Sequence, residues 1–182
     1  MEKLILFVIL SIPVIAISWR TLFNVKSHGF YRFFSWECIV WLFATNYSVW
    51  FTNPFCIRQI LSWILLITSG YFAITGVILL KKNGKHEKRR TEKSLYQFEK
   101  TSALVEKGIY KYIRHPLYSS LLFLTWGVFL KNVSSSLLLI TLLSTALLYL
   151  TAIFDEKECV KFFGEKYLGY MKRSKMFIPF LF

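Results

Sequence analysis

The sequence predicts an all-α fold: a polytopic membrane helical bundle of about five transmembrane helices, closed by a C-terminal interfacial helix. Three observations predict it. The 182 residues are 55% hydrophobic and 19% aromatic, with a mean hydropathy of +0.46. The formal charge is nevertheless +13. The apolar residues are gathered into five runs, at 4–19, 33–51, 57–80, 117–130 and 134–154. Apolar runs joined by basic loops describe spans that pack on one another in lipid, and exclude a soluble basic domain of the kind that binds nucleic acid.

The first run has a weakly basic start and no small-residue cleavage site before Arg20, so it is expected to be a retained span and not a signal peptide. The second carries Glu37 about one turn inside its end. An intramembrane carboxylate is a functional candidate, but Arg32 lies close enough in sequence to be its partner, and the structural reading is preferred. In the third run, Ser69, Gly70, Ala73 and Gly76 allow close helix approach. The fourth is short: 14 residues rise about 21 Å against a hydrocarbon core of about 30 Å. It extends through residues 112–116, tilts little or sits in a thinned region, with a re-entrant hairpin as the rival reading. The fifth is expected to end at Asp155 and Glu156.

Five spans put the ends of the chain on opposite sides, and Lys and Arg choose which. With the N-terminus outside, 20 of the 23 basic residues face the cytosol, leaving Lys3, Arg58 and Lys131 outside. The reading is therefore an integral protein of a bacterial inner membrane with a cytosolic C-terminus. Residues 1–182 form a single membrane domain: three N-terminal spans in 1–80, then a loop, a helical hairpin and an amphipathic segment in 81–182. The run KKNGKHEKRR at 81–90 is expected to meet anionic phospholipid headgroups. From Leu95 onward, aromatic and aliphatic residues interleave with charges, a texture that folds back onto a bundle. Beyond the fifth run, Val160, Phe163, Tyr167 and Met171 recur at helical spacing opposite Lys157, Lys161, Glu165 and Lys172, an interfacial helix broken near Gly164 or Gly169. Cys38, Cys56 and Cys159 have no paired spacing and no neighbouring His, so no disulfide framework or metal site is expected.

The densest chemistry lies at 108–118, GIYKYIRHPLY. Pro116 suits the first turn of a helix, which turns a positive helix end toward Arg114 and His115 and favours an anionic ligand group. The fourth and fifth runs form an antiparallel hairpin, so Asp155 and Glu156 return to the same end, at roughly 8–10 Å between helix axes. Arg114, His115 and Tyr118 can then face the two acids with Tyr110 nearby. Such a mixed-charge pocket suits a zwitterion with a ring or a sulfonium. Each residue also has a plain alternative: a cap for His115, a snorkelling Arg114, belt tyrosines at 110 and 118, and acids that merely end a span.

At these residues the chain resembles the integral-membrane methyltransferases that include isoprenylcysteine carboxyl methyltransferases and phospholipid N-methyltransferases. The resemblance covers about the last ninety residues, in two ordered blocks: SALVEKGIYKYIRHPLYSS, then after Gly127 DEKECVKFFGEKYLGYMKRSKMFIP. It implies S-adenosyl-L-methionine as methyl donor, held at the cytosolic boundary, and a lipophilic acceptor such as a membrane lipid or lipidated small molecule. By position, Ser102, Ala103, Leu104, Val105 and Tyr110 would line the cofactor site. Arg114, His115, Pro116, Leu117 and Tyr118 would form its second wall, and Asp155 with Glu156 would close it. Glu156, His115 and Tyr118 are the candidate catalytic residues, and no metal is implied. The chain departs from the pattern at Asp155, where a glutamate is usual, at Ser102, where a histidine often starts the block, and at Thr151, where prenylcysteine enzymes have an arginine. The acceptor therefore stays open among an isoprenylcysteine-like carboxylate, a phospholipid amine and a thiol. Two rival readings remain: an NADPH-dependent membrane reductase on a related scaffold, and a non-catalytic protein that binds anionic lipid.

Overall fold

A computed structural model describes residues 1–84, 95–96 and 99–179. It contains α1 (Glu2–Ser18), α2 (His28–Asn46), α3 (Ile57–Asn83), α4 (Pro116–Phe129), α5 (Ser135–Phe163) and α6 (Glu165–Arg173). Among the described residues the only β-type pairing is a single parallel bridge between Ile113 and Lys175. Most of the basic run expected to meet lipid headgroups, residues 85–90, lies outside the described residues.

The five apolar runs are all helical, and two of the helices, α3 and α5, are long and apolar enough to cross a membrane. Their 27 and 29 residues rise about 40 Å and 44 Å. Helix α4 has 14 residues and is a shorter apolar element. The outer faces of the bundle are apolar: Leu4, Ile9 and Ile12 on α1, Ile67, Tyr71 and Ile74 on α3, and Leu139 and Leu143 on α5 are all more than half exposed. A surface of that extent is covered by lipid or protein, not water.

The helices pack as antiparallel pairs, α3 along α4 and α2 along α5, with α1 against α2. Small polar side chains link them: Ser35 Oγ lies 3.0 Å from Ser144 Oγ, Ser62 Oγ donates to the Gly127 carbonyl, and Asn46 Nδ2 donates to the Val128 carbonyl. This is the form of adhesion available where apolar contact alone gives no preference over lipid. Of the small residues in α3, Gly76 is at a helix contact, where an added Cβ would meet Leu117 at 3.0 Å, whereas Gly70 faces open space.

Two expectations are corrected by this packing. The fifth helix does not end at Asp155 and Glu156; it runs two further turns to Phe163, because residues 155–163 contain no helix breaker and stop only at Gly164, at φ +59° and ψ −136°. Glu37 does not pair with Arg32. Five residues place the two about 140° apart around a helix, so Glu37 accepts from Ser11 Oγ at 2.6 Å on the α1 side while Arg32 turns to Glu99. Of the two glycines at which the sequence allowed a break, Gly169 lies inside α6 and Gly164 makes the break. The helix beyond it does not lie bare on a surface, because Tyr167 and Tyr170 are buried with Cys159 against Leu104, Val160, Phe163 and Met171.

Candidate functional site

The stretch 108–118 lies where the N-terminal ends of α2 and α4 meet the C-terminal ends of α3 and α5. A short turn at Gly108–Lys111 leads to an extended segment, and Pro116 starts α4 from the N-cap residue His115. Residues 175–177 strap that segment in place. The Lys175 N–H donates to the Tyr112 carbonyl at 2.9 Å, Arg114 N–H to the Lys175 carbonyl at 2.8 Å, and His115 N–H to the Met176 carbonyl at 3.2 Å. Ser119 Oγ adds a bond to the Phe177 carbonyl at 2.7 Å, and Tyr170 OH donates to the Tyr110 carbonyl at 2.5 Å.

Two ionic groups result. Arg114 Nε donates to Glu156 Oε1 at 2.6 Å, and its Nη1 donates to the carbonyls of Met171 and Ser174 at the end of α6. His115 Nε2 lies 3.2 Å from the same Glu156 oxygen, its Nδ1 lies 3.5 Å from Asp155 Oδ2, and its ring stacks on Tyr118 at 5.3 Å. Behind Asp155, His28 Nδ1 is 2.9 Å from Glu158 Oε2 and 4.0 Å from Asp155 Oδ1. Glu158 also accepts the His28 N–H at 3.3 Å and so caps α2. The donor atoms of His28, Asp155 and Glu158 lie within 4.8 Å of one another, close enough to share a cation. The group contains no cysteine, and His28 had no signal in the sequence.

A cavity opens among these elements. Nine of the twelve expected cofactor residues line it: Leu104, Val105, Tyr110, Arg114, His115, Pro116, Leu117, Tyr118 and Asp155. Ser102 and Ala103 instead line an adjoining groove against α6, which shares Leu104 with the cavity. Glu156 stands behind the wall, held between Arg114 and His115. The remaining lining includes Glu99, Leu95, Phe163, Tyr167 and Tyr170. Glu99 is the acidic residue that the sequence reading missed; the interleaved aromatics around it were the available signal. The cavity is narrow, about 90 Å³, against the roughly 300–1,000 Å³ of typical ligand sites. A nucleoside-sized ligand enters only as its walls part.

Electrostatics separate the candidate proton carriers. Burial holds the phenols of Tyr110, Tyr167 and Tyr170 well above their ordinary values, so they remain neutral and are not bases. For His115, burial pushes downward, but hydrogen bonds and charge from Asp155 and Glu156 outweigh it, and the pKa lies above the ordinary value. The stabilisation from a protonated His115 is complete below its unfolded pKa and is lost as pH rises through the raised folded value. Melting temperature is therefore expected to fall as pH increases above the ordinary histidine pKa of about 6.5, and the fall is expected to shrink in His115→Gln. The same profile in parent and variant would show that His115 is not the group responsible.

The fold and site define a helical membrane protein with a mixed-charge cavity at the open end of a helical hairpin. A model of the phospholipid methyltransferase family matches residues 57–166, and the chain belongs to that family. Methanethiol S-methyltransferase of Pseudomonas deceptionensis is 34% identical over 73 residues, which are 40% of this chain and 27% of the relative. The enzyme of the same name from Pseudomonas sp. (strain GM41(2012)) is 34% identical over 71 residues, 39% of this chain and 26% of the relative. The matched stretch thus spans about a quarter of the length of these curated relatives. No solved structure matches.

Proposed function

We propose that this protein is a membrane methyltransferase that takes S-adenosyl-L-methionine into the cavity and methylates a lipophilic acceptor. The observation that carries the reading is the joint presentation of His115, Tyr118 and Asp155 in one cavity, inside the stretch that the family model matches. The family match also favours methyl transfer over the reductase reading. We further propose that the cavity end faces the cytosol, as the distribution of basic residues indicates, and that helices α1 to α5 form the membrane bundle.

The residues fit the donor by chemistry. Aromatic and aliphatic walls from Tyr110, Tyr118, Leu104 and Val105 suit an adenine ring and a sulfonium, while Asp155 and His115 offer opposite charges to a zwitterion. Arg114 is committed to Glu156 and to the end of α6, so it positions the wall instead of taking a ligand carboxylate. Glu156 acts in the same way, by fixing the His115 ring. When bound, the donor supplies an electrophilic methyl group on a positively charged sulfur. The protein's contribution is alignment and exclusion of water, worth up to about 7–11 kcal/mol in favourable cases. Glu37 binds Ser11 and lines a separate hollow with Phe34 and Trp41, away from the cavity.

The acceptor class follows less directly. Thr151, at the position where an arginine would hold a prenylcysteine carboxylate, is fully buried and donates to the Leu147 carbonyl at 2.7 Å, which argues against that substrate. A thiol acceptor is in keeping with the names of the curated relatives. Binding of S-adenosyl-L-methionine to purified protein in nanodiscs tests the reading. Affinity is expected to fall at least about tenfold in His115→Ala, Tyr118→Ala and Asp155→Asn, a loss of about 1.4 kcal/mol or more each. A folded parent that binds no donor, or three variants that bind like the parent, would overturn it.

A further inference from the structure

A second cavity, of about 340 Å³, adjoins the first and shares Leu117, Tyr118 and Glu99 with it. The rest of its wall comes from Arg32 and Trp36 on α2, Leu121 on α4, Ile17 on α1, and Tyr96 from the segment that follows α3. Arg32 is built into that wall. Its guanidinium lies 4.3 Å from the centre of the Tyr96 ring and its Nη1 is 3.2 Å from Glu99 Oε2. Tyr96 in turn stacks on Trp36 at 6.2 Å, and its N–H donates to Glu99 at 2.9 Å. The rest of the surface is almost wholly apolar, and the Ser120 hydroxyl is used by the Leu117 carbonyl at 2.7 Å.

We propose that this second cavity receives the methyl acceptor and is built for a thiol on a small apolar body, with Arg32 beside the reacting sulfur. The proposal rests on the methyltransferase reading of the first cavity. Displacement at carbon needs nucleophile and leaving group on opposite sides of the transferred methyl, and two cavities that share one wall provide two such sides. An amine acceptor enters methyl transfer only as the free base, and among the described residues Glu99 is the only acid in this lining. It already accepts from Arg32 and from the Tyr96 N–H, and the positive charge that an amine nitrogen gains with the methyl would form beside the guanidinium, which opposes it. A phosphate headgroup would find almost no polar surface to replace its water. A thiol reacts as the thiolate, and the neighbouring Arg32 guanidinium favours that anion and lowers the thiol's pKa without a protein base. The thiolate lone pair forms the new sulfur–carbon bond as the old carbon–sulfonium bond breaks, its electron pair kept by the departing neutral thioether. The thiol's proton has by then passed to water.

The test uses the full chain in nanodiscs, with 1-hexanethiol and hexylamine as probes and empty nanodiscs to correct for partition into lipid. Thiol binding is measured without donor, and donor binding without thiol. Ile17→Trp adds bulk to the cavity from a position on α1 that is more than half exposed, and Leu121→Trp adds it from α4. Both are expected to weaken 1-hexanethiol binding at least about tenfold while donor affinity stays within about threefold. With both ligands present, the parent is expected to methylate 1-hexanethiol and not hexylamine. Unchanged thiol binding in Ile17→Trp, or methylation of the amine in preference to the thiol, overturns the proposal. If the parent binds thiol in the cavity but no donor, the methyltransferase reading fails and the proposed acceptor role fails with it, which the donor-binding arm reports separately.

Discussion

Replacing Arg114 by methionine is expected to destabilise the protein by about 3–5 kcal/mol, the usual cost of stripping one partner from a buried ion pair. Both side chains of the Arg114–Glu156 pair are about nine-tenths buried, and the Nε–Oε1 contact is 2.6 Å. The loss would be threefold. Glu156 would keep only His115. The Met171 and Ser174 carbonyls at the end of α6, which Arg114 serves as a cap from outside the helix, would lose their donor. The α6 face that carries Tyr167 and Tyr170 against the cavity would lose its anchor. Arg114→Lys keeps the charge but not the fork of donors and is expected to fall between the two. Urea or thermal unfolding in nanodiscs checks the order parent, lysine, methionine. Adding Glu156→Gln to the methionine variant is expected to restore part of the loss, since the buried charge is then gone. A methionine variant as stable as the parent would show that the pair is incidental.

Truncating the chain after Ser174 is expected to lower donor affinity by at least about tenfold while leaving the helical content almost unchanged. Among the described residues the removed segment holds no helix, but it supplies three backbone hydrogen bonds to residues 112–115 and a fourth to Ser119 Oγ. It also supplies Phe177, buried against Tyr118 and Ala152. Without it the Arg114–His115 segment would have no extended partner, and the His115 ring would lose its fixed approach to Asp155. Circular dichroism together with donor titration separates the outcomes. Normal affinity in a well-folded truncation would mean that α4 alone sets the geometry of the segment.

The main elements were legible because they rest on local chemistry. Pro116 starts α4 because a missing N–H costs nothing in the first turn. Gly164 ends α5 because its backbone conformation is one that a side chain resists. The meeting of residues 114–118 with 155–156 followed from the antiparallel hairpin alone. What could not be read was which acid faces the ligand. Consecutive residues on a helix point about 100° apart, so Asp155 lines the cavity while Glu156 turns to Arg114. Continuing α5 to Phe163 instead of stopping it at the acids is what fixes those two directions.

By itself, the sequence determined the helical class, the five apolar runs, the gathering of charged and aromatic groups at 108–118, and the family those groups indicate. Periodicity, helix breakers and short motifs act over a few residues, so they are written along the chain. The tertiary structure alone decided the partners: Glu99 for Arg32 across 67 positions, Glu158 for His28 across 130, and the strap at 175–177 for the segment before α4. Such pairings depend on which helix faces meet and at what depth. A buried charge takes whichever opposite group the packing brings within reach, and sequence neighbours such as Glu37 and Arg32 can be turned away from each other by the pitch of the helix that carries both.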